Sequence, residues 1–445
     1  MSASGPPTWV RSRPDIRRQT PKPGCLWMNF WSTQLFFLFM NKVPAVLFAI
    51  TAGMILCQAL ALRAGDYGEK YESYPVDADY PHASPAALEA WRDQKFGLRI
   101  HWGVYAVLGL QESWPLTGHR VNGDLGKFQE QYNQLYQRFN PTEFNADQWC
   151  EFMRRCGFTF FVFTARHHDG FSMFDTRTKI KKRFICTGPR RRQIEDCDYH
   201  YSIMDTPFRR DVTKELAEAA HRRGLGVGLY YSHTDWHDAD FRLDRWHPFR
   251  DPKYSPQTDP EGWQRFIARH REQVRELLTG YGKIERFEWD LCFPESAWLE
   301  TVKTVKMARK LQPDVLMRDR GIGNYGDIMT PEMWIPKANP DDERAEGFGQ
   351  VVNRPWQVII HMGNQFSYDP KAENYKSFDW ALTNLIDIVS KGGNFMVGIG
   401  PDGTGRFHPV AVQRLERVGR WLAVNGEAIY RTRPHRSWHD GESIR

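Results

Sequence analysis

Two adjacent histidines, His167 and His168, come directly after an almost wholly apolar run, Phe158–Thr164. Such a run is typical of a parallel strand that is covered on both faces. In α/β folds, the ends of such strands hold the functional side chains. Imidazole rings there can hydrogen-bond a polar ligand, and Gly170 allows a backbone conformation that other residues resist. The stretch is therefore a candidate binding site, and the alternative is a solvent-exposed loop without a role.

An aspartate ends a second predicted strand, Ile284–Asp290. A carboxylate fixed at a strand end can attack the anomeric carbon of a sugar, and a retaining glycosidase places a second carboxyl group about 5–5.5 Å away. Arg320 follows a further short strand, Val315–Met317, and a cation beside a carboxylate lowers the pKa of that carboxylate. The alternative for Asp290 is a capping role in the next turn.

Metal chemistry has weaker support, although several histidines follow strands. His233 and His237 lie four residues apart, but the intervening residues follow a predicted strand and do not form the helical His-x-x-x-His pattern of zinc sites. A Gly-x-Ser-x-Gly motif for a nucleophilic serine is missing from the sequence. We therefore expect no metal ion.

Strands and helices alternate along the chain and must position these side chains. The predicted helices are 146–156, the segment between Asp211 and Gly224, the segment ending at Gly282, 301–311, 377–390 and 411–424. The predicted strands include 96–102, 158–164, 226–232, 284–290, 315–317 and 395–399. This alternation predicts an α/β fold with a parallel sheet closed as a (β/α)8-type, TIM-like barrel. Polar residues cluster at the carboxyl ends of the strands, where barrel chemistry gathers: His101, His167, His168, Tyr231, Asp290 and Arg320.

The composition favours a large folded domain and gives no sign of a basic surface for nucleic-acid binding. Of the 445 residues, 41% are apolar and 17 are tryptophans, which suit a large core and also stacking on sugar rings. The formal charge is +6, but residues 1–61 hold six basic residues and one acidic residue. The remaining chain is almost neutral, so we expect no nucleic-acid partner.

The first 64 residues are predicted to be a leader rather than part of the fold. Lys42 precedes an apolar run, Val43–Leu62, with Ala59-Leu-Ala61 near its end, which is the layout of a secretory signal peptide. Met40 is the expected true start. The run approaches membrane-spanning length, so the alternative is a membrane anchor. We expect an exported protein, periplasmic or extracellular. Cys186 and Cys197 flank a basic loop and are a candidate disulfide in an oxidising compartment.

From about Lys95 to Pro434 the chain resembles the α-L-fucosidases of glycoside hydrolase family 29. The resemblance rests on an ordered succession of segments: Lys95–Tyr105, Thr164–Phe171, Gly228–Ser232 with Asp235-Trp236, Asn394–Pro401 and Asn425–Tyr430. It implies a retaining exo-glycosidase that removes terminal α-L-fucose from glycans without a cofactor. By position it implies Asp290 as the nucleophile, Glu332 as the acid/base, and substrate contacts from His101, Trp114, His167, His168, Tyr231 and Arg320.

The chain departs from the family pattern in several places. Where many members show Trp-Glu, this chain has Trp356-Gln357, which removes one candidate acid/base and leaves Glu332, Glu343 and Glu346 as contenders. Relative to the family, we expect the segment 180–198 to be an insertion and the usual C-terminal β-sandwich to be missing or truncated. The expected domains are thus the leader 1–64, a catalytic barrel 65–434 and a tail 435–445. Two rival functions remain: a glycosidase for another sugar, such as a galactoside, and a carbohydrate-binding pseudoenzyme.

Overall fold

The computed structural model describes residues 74–336 and 354–435, together with the backbone of 439–440 and 443–444. All of these belong to one of the two units into which the chain divides, Asp66–Arg445. The predicted leader, with Met40, lies outside the described residues, and so does most of the predicted tail. No helix within the described ranges is long and apolar enough to span a bilayer.

Seven parallel strands form the central sheet, as the alternating pattern predicts. They are β1 (Phe96–Ile100), β2 (Phe160–Arg166), β5 (Gly226–Ser232), β6 (Arg286–Asp290), β7 (Leu316–Met317), β8 (Gln357–His361) and β9 (Asn394–Ile399). Their spatial order is β7-β6-β5-β2-β1-β9-β8, and every neighbouring pair is parallel. Strand β8 has no counterpart among the predicted strands.

A short segment, residues 328–332, joins the two edge strands, and we call it the closing segment. Ile328 forms a parallel bridge to Arg318 just beyond β7, whereas Met329 and Glu332 form parallel bridges to Trp356 and Ile359 of the β8 edge. Backbone hydrogen bonds run on both sides, including 3.0 Å from the Gln357 N–H to the Met329 carbonyl. The sheet is therefore a distorted (β/α)8 barrel, which confirms the predicted fold class.

Helices cover the outside of the sheet. They are α1 (Pro85–Gln94), α2 (Leu125–Asn133), α3 (Ala146–Arg155), α4 (Val212–Arg222), α5 (Pro260–Gly280), α6 (Trp298–Leu311), α7 (Phe378–Ser390) and α8 (Pro409–Asn425). Their starts follow ordinary capping chemistry: Asp211 caps α4 through the Lys214 N–H, and Asp259 caps α5 ahead of Pro260. The predicted helices agree with these bounds to within about three residues, except that α5 begins seven residues before the predicted apolar face at Ile267. Helices α1 and α2 were not predicted.

Alternate residues of each strand face the helices and the barrel interior. Outward residues such as Phe161 and Leu229 belong to the main hydrophobic core, whereas Phe160, Val162 and Tyr230 form a separate interior cluster with Ile359 and Met396. The interior also holds buried charges. Glu288 accepts hydrogen bonds of 2.6 Å from Arg99 and from Gln357, and Arg318 lies 3.6 Å away. Glu288 comes two residues before Asp290, so this layer of paired charges lies directly below the end of β6.

The predicted insertion is an antiparallel hairpin, β3 (Ile180–Phe184) and β4 (Ile194–Tyr199). Cys186 and Cys197 are both free thiols. The Cys197 thiol lies 3.6 Å from the Ile180 carbonyl, whereas the Cys186 thiol lies 3.7 Å from the Phe184 carbonyl. Four residues of strand separate those carbonyls, which is about 13 Å. The hairpin register therefore does not support the candidate disulfide.

Candidate active site

Asp290 lies at the carboxyl end of β6, where it is almost fully buried. Its Oδ2 accepts a hydrogen bond of 2.5 Å from the Tyr230 hydroxyl, and its Oδ1 accepts bonds from the Leu291 N–H at 2.9 Å and from Arg320 at 3.1 Å. Burial raises the pKa of this carboxyl, but Arg320 and Arg318 outweigh burial and hold the pKa well below its usual range. Asp290 is therefore a fixed, ionised carboxylate.

A single nitrogen of Arg320 connects Asp290 to Glu332. This Nη1 lies 3.1 Å from Oδ1 of Asp290 and 2.8 Å from Oε2 of Glu332. These two carboxylate oxygens are consequently at most about 6 Å apart, which is compatible with the 5–5.5 Å between the carboxyl groups of retaining glycosidases. The Glu332 side chain remains 37% exposed, so solvent or a ligand can reach it.

Glu332 is charged in the free protein. Burial and the Asp290 charge act to raise its pKa, but Arg320 and Arg318 hold it below the ordinary value for glutamate. Three arginines, Arg99, Arg318 and Arg320, thus face three carboxylates, Glu288, Asp290 and Glu332. The site is balanced in charge when all six groups are ionised.

The ring of His101 has a defined tautomer. Nε of Arg99 donates to Nδ1 of His101 at 3.2 Å, and since a guanidinium can only donate, Nδ1 must be the acceptor. Burial, helped by the Arg99 charge, lowers the pKa of His101 far below its usual range. The ring is therefore neutral and carries its hydrogen on Nε2. It lies 5.3 Å from the Tyr230 ring and 5.4 Å from the His167 ring, between centroids.

His167 and His168 lie directly after β2, as predicted, and their ring centroids are 4.0 Å apart. Nδ1 of His167 contacts the Ser113 hydroxyl at 2.5 Å, and Nδ1 of His168 contacts the Ser232 hydroxyl at 2.8 Å. Burial lowers the pKa of His168 to about 4, although the carboxylates of Asp290 and Glu332 oppose this. Neutral rings of this kind can hydrogen-bond the hydroxyl groups of a ligand.

Gly170 has the conformational role that the sequence suggested. Its φ is +77°, and a Cβ at this position would lie 2.1 Å from the Asp235 carboxylate. Any other residue would therefore displace Asp235, whose carboxylate pairs with Arg269 at 2.6 Å and Arg166 at 3.4 Å. The turn that follows the two histidines needs a glycine.

The predicted substrate contact Trp114 lies in a short 3-10 helix, Trp114–Thr117, beside His168. The two rings meet edge to face with centroids 5.2 Å apart. Trp114 also meets Trp236 at 5.4 Å and Trp246 at 5.9 Å. We call these three tryptophans the aromatic cluster.

The structure does not bring Tyr231 to the other candidate residues. Its hydroxyl donates to Gln273 of α5 at 2.8 Å, and the Arg166 guanidinium stacks on its ring at 4.2 Å. Tyr231 therefore faces the helices. Its neighbour Tyr230 faces the interior and hydrogen-bonds Asp290, because successive strand residues point to opposite faces. The tyrosine beside Asp290 is thus Tyr230 and not the predicted Tyr231.

Sequence reasoning also missed Glu112. This residue is buried, has a φ of +43°, and accepts a hydrogen bond of 2.7 Å from the Ser367 N–H. Burial raises its pKa to about 7, and the Glu332 charge adds to the rise. The only signal in the sequence is its place two residues before Trp114, in a segment outside every predicted strand.

Gln357, which replaces a candidate carboxylate, lies at the start of β8. Its amide donates to Glu288, and its carbonyl oxygen accepts from the Trp91 indole at 3.2 Å. It is part of the charged layer below the site. The other contenders, Glu343 and Glu346, lie outside the described residues. Within the described ranges no group of three or more His, Cys, Asp or Glu side chains is arranged to hold a metal ion.

Two adjacent carboxylates, an arginine between them and neutral donors around them, all at the carboxyl end of a barrel, define the class of glycoside hydrolases. Residues 67–427 match the family model described as Alpha-L-fucosidase, which is most of the chain. The chain therefore belongs to the alpha-L-fucosidase family, which confirms the resemblance seen in the sequence.

Similar proteins agree with this assignment. The chain is 26% identical to the plasma alpha-L-fucosidase of Rattus norvegicus over 87% of this chain and 80% of that protein. It is 25% identical to the tissue alpha-L-fucosidase of the same animal, over 87% of this chain and 79% of that protein. Among solved structures, alpha-L-fucosidase isoenzyme 1 from Paenibacillus thiaminolyticus superposes with a TM-score of 0.66, at 28% identity and 80% coverage of both chains.

Proposed function

We propose that this protein is a retaining exo-α-L-fucosidase that acts on fucosylated glycans by double displacement. The observation that carries the proposal is the pair of carboxylates that share one arginine nitrogen, with their oxygens within about 6 Å of each other. The similar proteins are named alpha-L-fucosidases, and we infer from this that the sugar is fucose. The neutral histidines supply hydrogen-bonding groups for its hydroxyls.

In the first step, a carboxylate oxygen of Asp290 attacks the anomeric carbon of fucose. The bond from that carbon to the leaving oxygen breaks, and the leaving oxygen takes a proton from the Glu332 carboxyl group. Tyr230 and Arg320 hold Asp290 for this attack. The products of the step are the free glycan and fucose joined to Asp290 by an ester.

In the second step, the Glu332 carboxylate takes a proton from water. The water oxygen bonds to the anomeric carbon, and the ester bond to Asp290 breaks. Fucose leaves with its original anomeric configuration, and both carboxyl groups return to their starting protonation. Glu332 must carry a proton when the leaving oxygen departs, although Arg320 favours its ionised form in the free protein, so the carboxyl group has to take up a proton before that bond breaks.

The test is hydrolysis of an aryl α-L-fucoside and an aryl galactoside by the purified protein, with the first-formed anomer read by NMR. We expect turnover of the fucoside alone and α-fucose as the first product. Preference for the galactoside, or β-fucose as the first product, would overturn the proposal. The rival pseudoenzyme would have lost its acid where Gln357 replaces the glutamate of many family members. Gln357 bonds Glu288, which supports a structural role for this residue, and turnover of neither substrate would favour the pseudoenzyme.

We also propose that the protein is exported, on the layout of residues 42–62. Expression from Met40 in a secreting host, followed by N-terminal sequencing, tests this. A mature chain that begins shortly after Ala61 is expected, whereas a full-length chain in the membrane fraction would support the anchor.

A further inference from the structure

The aromatic cluster extends from the candidate active site to the protein surface. Trp114 contacts the His168 ring, and Trp246 contacts Trp114 with centroids 5.9 Å apart and an interplanar angle of 90°. Trp236 is buried at 3% exposure, but Trp246 is 41% exposed. A tryptophan this exposed leaves a large apolar surface in water. The cluster thus begins beside the fucose-binding histidines and ends at an open indole.

Asp244 orders the turn that carries Trp246. Its carboxylate accepts a hydrogen bond of 2.8 Å from the backbone N–H of Trp246 and another of 2.8 Å from the ring N–H of Trp236. The Arg245 guanidinium also stacks on the Trp246 ring, 4.7 Å from its centroid. Cation–π contact and the turn at Asp244 therefore both favour one orientation of the exposed ring.

The β3–β4 hairpin also supports the loop that carries Trp246. Phe184 of β3 stacks on Phe249 with centroids 4.6 Å apart and meets the His247 ring at 5.6 Å. A backbone bond of 3.0 Å from the Ala239 N–H to the Lys182 carbonyl ties the start of the loop to the hairpin. Residues 239–249 are thus anchored on both sides of Trp246, and this order lowers the entropy cost of binding a ligand there.

We propose that Trp246 is the binding platform for the pyranose unit to which the terminal fucose is linked. An indole offers a flat apolar surface to the C–H face of a sugar ring, and its neighbours in the cluster lead directly to His168. This inference rests on the proposed fucosidase activity and deepens it: Trp246 selects the leaving group and takes no part in bond breaking. A contact with the leaving sugar supplies binding energy away from the bond that breaks. A substrate without that sugar cannot use this energy, so only the longer substrate gains rate from the contact.

The test compares two substrates in wild type and Trp246→Ala: a fucosylated disaccharide, and α-L-fucosyl fluoride, which has no leaving sugar. For the disaccharide we expect kcat/KM to fall about tenfold in the variant, largely through KM. For the fluoride we expect no change. Equal effects on both substrates, or no effect on either, would overturn the role of Trp246. Failure of the wild type on both substrates would instead overturn the proposed function.

Three further variants complete the design. Trp246→Phe keeps an aromatic face and should retain most of the disaccharide activity. Trp246→Gln keeps much of the side-chain volume without that face, so it should behave as Trp246→Ala does and serves if the alanine variant folds poorly. Leu299→Ala removes another exposed apolar side chain, 71% accessible on α6, and should leave both substrates unaffected. If Trp246→Phe lost as much as Trp246→Ala, stacking would not be the cause.

Discussion

Arg320 donates a hydrogen bond to Asp290 through the nitrogen that also bonds Glu332. This contact lies at the top of the barrel, above the buried pair of Arg99 and Glu288. It favours the ionised form of both catalytic candidates, which suits a nucleophile but opposes a general acid. Substitutions of Asp290, Glu332 and Arg320 can separate these two consequences.

Replacement of the candidate nucleophile is expected to change the product as well as the rate. Asp290→Gly removes the attacking carboxylate and leaves a space near the anomeric carbon, so activity on an aryl fucoside should fall on the order of 10⁴-fold. Added azide should enter this space and form β-fucosyl azide, with inverted configuration, because no ester intermediate forms. Product analysis by NMR checks this, with wild type plus azide as the control. Near-normal activity without azide would make Asp290 a structural residue.

Replacement of the candidate acid is expected to show a dependence on the leaving group. Glu332→Ala should lower kcat/KM on a fucosyl disaccharide about 10²–10⁴-fold, but much less on an activated aryl fucoside, whose leaving oxygen needs little protonation. The matched control is Gln357→Ala, which changes a residue of the layer below and should affect both substrates alike. Equal losses on both substrates in Glu332→Ala would pass the role to Glu343 or Glu346.

The pH profile provides an independent measurement of Glu332. Although burial raises its pKa, Arg320 and Arg318 bring the net shift below the ordinary value. A general acid loses its proton as pH rises through its pKa, so kcat/KM on the disaccharide should be highest at acidic pH and fall as pH rises. Arg320→Met should move this fall to higher pH while lowering the maximum. An activity maximum in alkaline solution would show that another group donates the proton.

A buried neutral histidine should make stability depend on pH. The pKa of His168 is about 4 in the folded protein against an ordinary 6.5, so between these values the unfolded chain binds a proton that the folded chain does not. Stability from this residue is present above pH 6.5 and is lost as pH falls toward 4. Between pH 7.5 and 5 the loss is about 2 kcal/mol.

Urea unfolding at the two pH values measures this loss. His168→Gln should reduce the difference in unfolding free energy by about the 2 kcal/mol that the histidine contributes, and His119→Gln, at an exposed histidine, should leave it unchanged. The same pH dependence in wild type and His168→Gln would mean that His168 binds its proton over the same pH range in the folded and the unfolded protein.

Much of the architecture was predictable because parallel strands buried on both faces leave long apolar runs, as at Phe158–Thr164. Strand β8 and the closing segment were not predicted. β8 follows a proline-rich and charged stretch, and the closing segment makes single bridges rather than a continuous ladder. The apolar run of β8 is only Val358–Ile360, which is too short for periodicity to identify a strand, and the closing segment shows no regular hydrophobic period.

The candidate site was predictable where strand ends are polar, as at His167, His168 and Asp290. Tyr231 shows where this reasoning stops: two tyrosines adjoin at the end of β5, and the choice between them depends on which residue of the strand faces inward. In the structure Val162 faces the barrel interior and Phe161 faces the helices. Tyr230 pairs with Thr164, two residues after Val162, and so faces the interior as well. The sequence alone does not give this register. The tautomer of His101 depends on Arg99 and required coordinates.

The closing segment gives the two catalytic candidates different freedom to change over evolution. Asp290 ends a strand that is paired in a continuous ladder with β5, so an insertion or deletion before it would shift every side chain of β6 to the opposite face. Glu332 is attached by one bridge to Ile359, and residues on either side can be added or removed without breaking a ladder. Strand pairing therefore constrains the position of the candidate nucleophile more tightly than that of the candidate proton donor.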